Sequence, residues 1–235
     1  AQDTHDDAAV LRIGLFFDGT RNNAHNLARG HVQVPQPRPA VLRADDDSTY
    51  QSRLTSSYDN GLTNVARLHR LYPDSRQETL PFPSLAIYVE GVGTRDDAED
   101  DLLGLAFGIG ASGVRAKVER ALNELLPAAL TSVSARWHRP VQGVQLDLFG
   151  YSRGAAAARD AANRLQAWDT ARWQQLLQDA GLVCAAGFAP ARPLLRFIGL
   201  FDTVVAVSGG RADERPRVAL AADIAGRVVQ LVARD

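Results

Sequence analysis

The chain contains no methionine, a single cysteine, almost no net charge and no hydrophobic run long enough to cross a bilayer. Each shortage excludes something. One cysteine cannot form an internal disulfide, so no oxidative framework holds this fold together. Cys184 lies in Leu182-Val183-Cys184-Ala185-Ala186, where it reads as a small buried apolar residue. Without about 18 consecutive apolar residues there is no transmembrane helix. A net charge of −1 gives neither nucleic acid nor an anionic membrane a bulk electrostatic reason to bind. The first residues, Ala1-Gln2-Asp3-Thr4-His5-Asp6-Asp7, lack the basic and apolar regions of a secretory signal, so any export uses another route. The missing methionine, and an end at Arg234-Asp235 inside an apolar stripe, lead us to expect a catalytic domain that is incomplete at its C-terminus.

What is present is ordinary globular composition, 46% hydrophobic and 23% charged, in a length that allows one sizeable domain over 1–235. Leu11 to Phe17 reads as a buried strand, Leu85 to Val89 as a second, Val144 to Phe149 as a third and Leu194 to Phe201 as a fourth. Helical spacing appears at Asn64 to Tyr72, from Val114 onward with Pro127 following, through the alanine-rich run after Gly154, and at Ala171 to Asp179. Val218 to Arg234 reads as a last helix, with Ala221, Ile224, Val228 and Leu231 near one face. The stretch 21–57, with three prolines and Asp45-Asp46-Asp47, reads as a long surface loop. Leu102 to Ser112 has no decidable form. Strands with apolar interiors separated by helices predict an α/β fold, a mostly parallel sheet with helices on both faces.

In such sheets the active crevice lies outside the carboxyl ends of the strands. Those ends are Asp18-Gly19-Thr20, Gly91-Val92-Gly93-Thr94, Gly150-Tyr151-Ser152 and Asp202-Thr203, four small or polar endings on one edge. The third belongs to Gly150-Tyr151-Ser152-Arg153-Gly154, a G-x-S-x-G pentapeptide. Alone, that pattern arises in roughly 5–10% of chains of this length at average glycine and serine usage, so context decides. Here a strand precedes it and a strong helix former follows, the setting of a nucleophile elbow. Ser152 is therefore the candidate nucleophile; the plainer reading is a serine that caps the helix. Asp202, ending a later strand, is the candidate acid, against a plainer role in capping the next turn. An oxyanion hole needs two backbone donors. The Arg153 N–H is one, and the Gly19-Thr20 turn supplies the other, with Gly91 to Thr94 as substitute.

The base is missing. His5, His25, His31, His69 and His138 all precede Asp202, whereas this order of nucleophile and acid calls for a histidine after it. His25 and His31 could reach the site from the loop after the first strand; His69 and His138 read as solvated or capping residues. None has metal-ligand spacing, so no metal or other cofactor is implied. The run Asp96 to Asp101 is a conceivable calcium ligand set but reads more simply as a solvated face.

Taken together, Phe16-Phe17-Asp18-Gly19-Thr20-Arg21-Asn22-Asn23, Tyr88 to Thr94, Leu148 to Ala155 and Ile198 to Val204 resemble, in order, the α/β-hydrolase catalytic domain of phospholipase effectors delivered by bacterial type VI secretion. The resemblance spans 11–207. It implies Ser152 as nucleophile, Asp202 as triad acid, and a glycerophospholipid acyl ester of a target-cell membrane as substrate. It also implies a secretion spike or adaptor protein and a neutralising immunity protein as partners. Localisation would be the cytoplasm of the producer, then the target periplasm without a signal peptide. The family's histidine lies in a Pro-Gly-x-His-Ser-Asp-x-Gly-Gly segment that these residues do not contain, so the base is expected beyond Asp235. The tail Val229 to Asp235 resembles a helix that precedes that segment. Two other functions fit the same residues: a catalytically silent binding module, and a hydrolase of a different ester.

Overall fold

Nine residues from Ala9 to Phe17 form an internal strand of the sheet, and the reason is visible in their burial. Leu11, Ile13, Leu15, Phe16 and Phe17 are all essentially inaccessible, which requires cover on both faces. The computed structural model describes residues 8–20, 22–24, 61–92, 113–190, 194–205 and 216–233. Within them lie strands β1 (Ala9–Phe17), β2 (Ser84–Val89), β3 (Val141–Tyr151), β4 (Leu195–Phe201) and β5 (Ala225–Leu231). Helices are α1 (Asn64–Leu71), α2 (Val114–Arg120), α3 (Leu126–Ser134), α4 (Arg153–Gln166) and α5 (Thr170–Asp179). The sheet is entirely parallel, in the order β2-β1-β3-β4-β5. This is the α/β fold expected, with helices on both faces.

The two faces follow from the period of two along β1. Leu11, Ile13, Leu15 and Phe17 join the larger core with residues of α2, α3, α4 and α5, including the fully buried Trp173. Phe16 points the other way, into a smaller cluster with Val65 of α1 and Ala86 of β2. Its ring stacks on Phe149 at 4.8 Å between centroids and meets Tyr72 edge-on at 5.5 Å.

Three polar groups are built into these layers. Asp147 sits buried in mid-strand, where it accepts from the Tyr72 hydroxyl at 2.7 Å and from Arg196. The loss of water around the phenol, and after it the negative charge of Asp147, hold the Tyr72 hydroxyl far above its usual range. Glu90, just past β2, accepts from Lys117 at 2.6 Å and from Arg120, with both Glu90 and Lys117 nearly inaccessible. Asp160 of α4 accepts from Arg164 at 2.7 Å and from the Arg217 amide at 2.9 Å. Cys184, half-buried, bridges to Val141 beside β3, and burial pushes its thiol up.

Two expectations are corrected. Val218 to Arg234 is not a helix: 225–231 form β5, paired in parallel register with β4 from Leu195↔Ala225 to Phe201↔Leu231. Ala221, Ile224, Val228 and Leu231 do match helical spacing, but Gly226 and the β-branched pair Val228-Val229 favour an extended chain, and pairing with β4 decides the matter. The tail's resemblance to a family helix falls with it. Nor does Pro127 end the helix that starts at Val114. Residues Ala121–Leu125 widen into a π turn, in which the Leu126 N–H donates to Ala121 O, and Pro127 enters the first turn of α3, where its missing N–H costs least. The loop predicted at 21–57 lies outside the described residues apart from 22–24, and so does 102–112.

Candidate active site

The junction of β3 and α4 is a sharp turn, and its serine carries the strain. Ser152 has φ 55° and ψ −123°, one of two non-glycine residues with positive φ among those described. Such a conformation costs on the order of 1–3 kcal/mol and persists only where its surroundings enforce it. Here they do. A Cβ on Gly150 would stand 2.5 Å from Ala155 Cα, and one on Gly154 would stand 2.2 Å from Asp18 O. Both pattern glycines are thus required by close backbone approach, since α4 begins hard against the end of β1. The Ser152 N–H donates to Phe201 O at 2.9 Å, and its carbonyl accepts from Ala155 N and Val204 N. Its side chain makes no capping bond to α4, contrary to the plainer reading.

Asp202 is the other positive-φ residue, at 44°. Its N–H donates to Leu231 O at 2.9 Å and its Oδ1 accepts from the Ala233 N–H, so the end of β5 holds the turn. The carboxylate therefore does satisfy a main-chain amide, but one across the sheet rather than in the following turn. Ser152 and Asp202 share the strand-end edge because the main chains of Ser152 and Phe201 are hydrogen-bonded. That is the convergence inferred from the four strand endings.

The Gly19-Thr20 turn lies on the same edge. Thr20 Oγ1 accepts from Arg153 Nε at 2.7 Å, tying the first turn of α4 to the end of β1. The Gly19 N–H donates to Asp18 Oδ1 at 2.7 Å, however, so its amide is already engaged. The substitute donor fares alike, since Gly91 N–H donates to Asn22 O at 2.8 Å. Gly91 must be glycine: a Cβ there would fall 1.7 Å from Gly19 O. Gly93 and Thr94 lie outside the described residues.

Sequence reasoning missed the group that shapes this turn. Asp18 is buried beneath it and accepts from the Tyr88 hydroxyl at 2.5 Å as well as from Gly19, with a further bond from Thr63. Burial raises its carboxyl above the usual range; the three donors act in the opposite direction and offset only part of that. Tyr88 in turn accepts from Ala24 N at 3.0 Å. The signal was present in the polar strand ending, but nothing local names a tyrosine 70 residues on as its partner.

The histidines do not complete a triad among the described residues. His69, expected to be solvated or capping, is half-buried on α1: its ring meets Phe16 edge-on at 5.4 Å, and Nε2 lies 3.3 Å from Ala86 O. Burial pushes its pKa below the usual value. His138 precedes β3, while His5, His25 and His31 lie outside the described residues. The acidic run 96–101 lies outside them too, and among the described residues no group of three or more His, Cys, Asp or Glu could hold a metal. No described helix is long and apolar enough to cross a membrane.

Beside the two candidate catalytic residues opens a cleft of about 540 Å³, bounded by Asn22, Thr63, Asn64, Arg67, Tyr151 and Asp202. It runs from the end of β4 to the first turns of α1. Asparagine, threonine and arginine side chains make up much of its wall.

No protein-family model and no curated protein sequence matches the chain. Solved structures do. The Tle1 effector bound to the VgrG spike from the Type 6 secretion system superposes with a TM-score of 0.59 and 26% identity, over 95% of this chain and 45% of that one. An uncharacterized protein from Pseudomonas aeruginosa superposes with a TM-score of 0.51 and 21% identity, over 97% of this chain and 36% of that one. The chain thus spans less than half the length of either neighbour. The first likeness is to a type VI secretion effector, and the second speaks for the fold alone.

Proposed function

We propose that this chain is the nucleophile-bearing part of a serine esterase that cleaves acyl esters of glycerophospholipids and serves as an antibacterial effector. The observation that carries the reading is the strained Ser152 at the β3–α4 turn, hydrogen-bonded through its main chain to the residue before Asp202. A hydroxyl raised on such a turn, free of any capping duty, has the placement of an attacking group. Ser152 Oγ attacks the ester carbonyl, and a histidine oriented by Asp202 takes the proton and returns it to the leaving alcohol. The Arg153 N–H, at the positive end of α4, is the first oxyanion donor. The second comes from the Gly19-Thr20 turn, where Gly19 must exchange its bond to Asp18 for the oxyanion.

In this reading the histidine is supplied from outside residues 1–235, in keeping with a chain that spans 45% of the Tle1 chain. The likeness to an effector held on a secretion spike supports a spike or adaptor protein as partner of this one. An immunity protein in the producer, and delivery from its cytoplasm to the target periplasm without a signal peptide, complete the proposal. The test is phospholipid hydrolysis by the full-length gene product, with Ser152→Ala alongside. Loss of about 10³-fold or more in turnover with an unchanged melting temperature is expected. Equal turnover by the variant would overturn the serine mechanism.

A second reading has its own observation. Among the described residues the only histidines, His69 and His138, are not in the cleft lining. A hydrolase-fold module that binds without turnover fits that fact. It predicts no hydrolysis by the full-length product in either form.

A further inference from the structure

The cleft at the strand ends is lined on one side by Tyr151 and Asp202 and on the other by α1, and the α1 side carries a charged group that the catalytic reading does not use. Arg67 of α1 lines the cleft, exposed, and its guanidinium has no hydrogen-bond or ion-pair partner among the described residues. Its neighbours on α1 face other tasks: Val65 and Ala66 are buried, and His69 is turned to Ala86. The one carboxylate in the same lining, Asp202, has Oδ1 taken by the Ala233 N–H. Two carboxamides also line the wall, Asn64 and Asn22, the latter with one N–H already given to Thr20 O at 2.9 Å. An unpaired guanidinium matches the oxygens of a phosphate, which it can hold bidentately, better than those of any uncharged group.

Position then sets the ligand. Tyr151, the residue before the candidate nucleophile, and Asp202 line the same cleft as Arg67, so an anion at Arg67 sits in the cleft that adjoins the strand end carrying Ser152. We propose that the cleft between α1 and the ends of β3 and β4 is the subsite for the phosphodiester of a glycerophospholipid headgroup, with Arg67 as its specificity-determining residue. The inference rests on the esterase reading and adds to it how phospholipid is told from neutral lipid. A guanidinium that contacts only the phosphate contributes to binding, and a diacylglycerol, which lacks the phosphate, gains nothing from it.

The test is equilibrium binding to the full chain, which needs no turnover, using dihexanoyl phosphatidylglycerol and dihexanoylglycerol as monomeric probes. Arg67→Ala is expected to weaken the phosphodiester probe by about tenfold or more, the worth of a charge-assisted bidentate bond, and to leave the neutral probe unchanged. Arg67→Lys is expected to fall between, keeping charge but not the fork. Melting temperature serves as the check on folding, which an exposed side chain does not control. Unchanged affinity for the phosphodiester in Arg67→Ala, or equal weakening of both probes, overturns the subsite. Inorganic phosphate binding as tightly as the lipid phosphodiester also overturns it, because the site then serves a free anion. Failure here leaves the esterase reading standing, since that reading is judged separately by Ser152→Ala and ester turnover.

Discussion

Ser152 and Phe201 are hydrogen-bonded main chain to main chain, the Ser152 N–H donating to Phe201 O at 2.9 Å. Through that bond the end of β3 and the end of β4 become one structural unit. Any shift of the β4 terminus, and with it Asp202, is felt at the strained serine.

Asp202→Asn separates chemistry from architecture. Asparagine tolerates positive φ, and its carbonyl oxygen can still accept from Ala233 N, so the turn survives. Turnover by the full-length product is expected to fall by about 10⁴-fold with a change in melting temperature near zero. A variant that unfolds as turnover falls would instead mark Asp202 as a structural residue.

Glycine substitutions read the close approach of β1 and α4. Gly154→Ala forces a Cβ to 2.2 Å from Asp18 O and is expected to lower stability by about 1–3 kcal/mol or more by denaturant unfolding. Gly61→Ala, where a Cβ meets nothing within 4 Å, is the control and should be neutral or slightly stabilising. Equal behaviour of the two variants would contradict the packing described at the elbow.

Breaking the buried charge cluster at the end of β2 should be costly in a particular way. Lys117→Met strips Glu90 of one of its two cations inside the core, with an expected loss of about 3–5 kcal/mol. Adding Glu90→Gln removes a buried carboxylate left with only the partly exposed Arg120, so the double variant should be more stable than the single one. A double-mutant cycle measures this directly, and strict additivity of the two losses would argue against the coupling.

The His69 environment sets a pH dependence. Its folded pKa is depressed below the ordinary value by burial, so in the window from that depressed value up to about 6.5 the unfolded chain binds the extra proton. Stability should therefore rise with pH through this window and fall as acid is added. Replacing His69 by Phe, which keeps the contact with Phe16, should remove that part of the slope in denaturant melts taken from pH 5 to 8. An unaltered slope would mean that another group supplies it.

How much of this could be seen in the residues alone depends on whether the cause was local. β1 to β4 and the elbow were legible because apolar runs, glycines and strong helix formers act within a few positions of themselves. β5 was not: its spacing suits a helix as well as a strand, and only β4 alongside it makes the extended form pay. The same holds for the site. Ser152 and Asp202 announce themselves at strand ends, whereas the Asp18–Tyr88 pair and the placement of Arg67 depend on which distant segments come to lie beside each other. The engagement of Gly19 by Asp18 was also beyond reach, since a sequence shows an amide but not what already holds it.

The strand order carries a consequence for how the chain comes to be folded. β1 lies between β2 and β3, and β3 begins 124 residues after β1 ends, from Phe17 to Val141. At a synthesis rate of roughly 5–20 residues per second, one edge of the most apolar strand waits about 6–25 s for its neighbour to be made. One of its faces waits as well, because α4, which packs on it, comes later still, whereas α1 on the other face is already made. During that interval the nascent protein presents Leu11 to Phe17 to anything nearby, so its yield in a cell should depend on chaperones that hold exposed strands far more than its final stability would suggest.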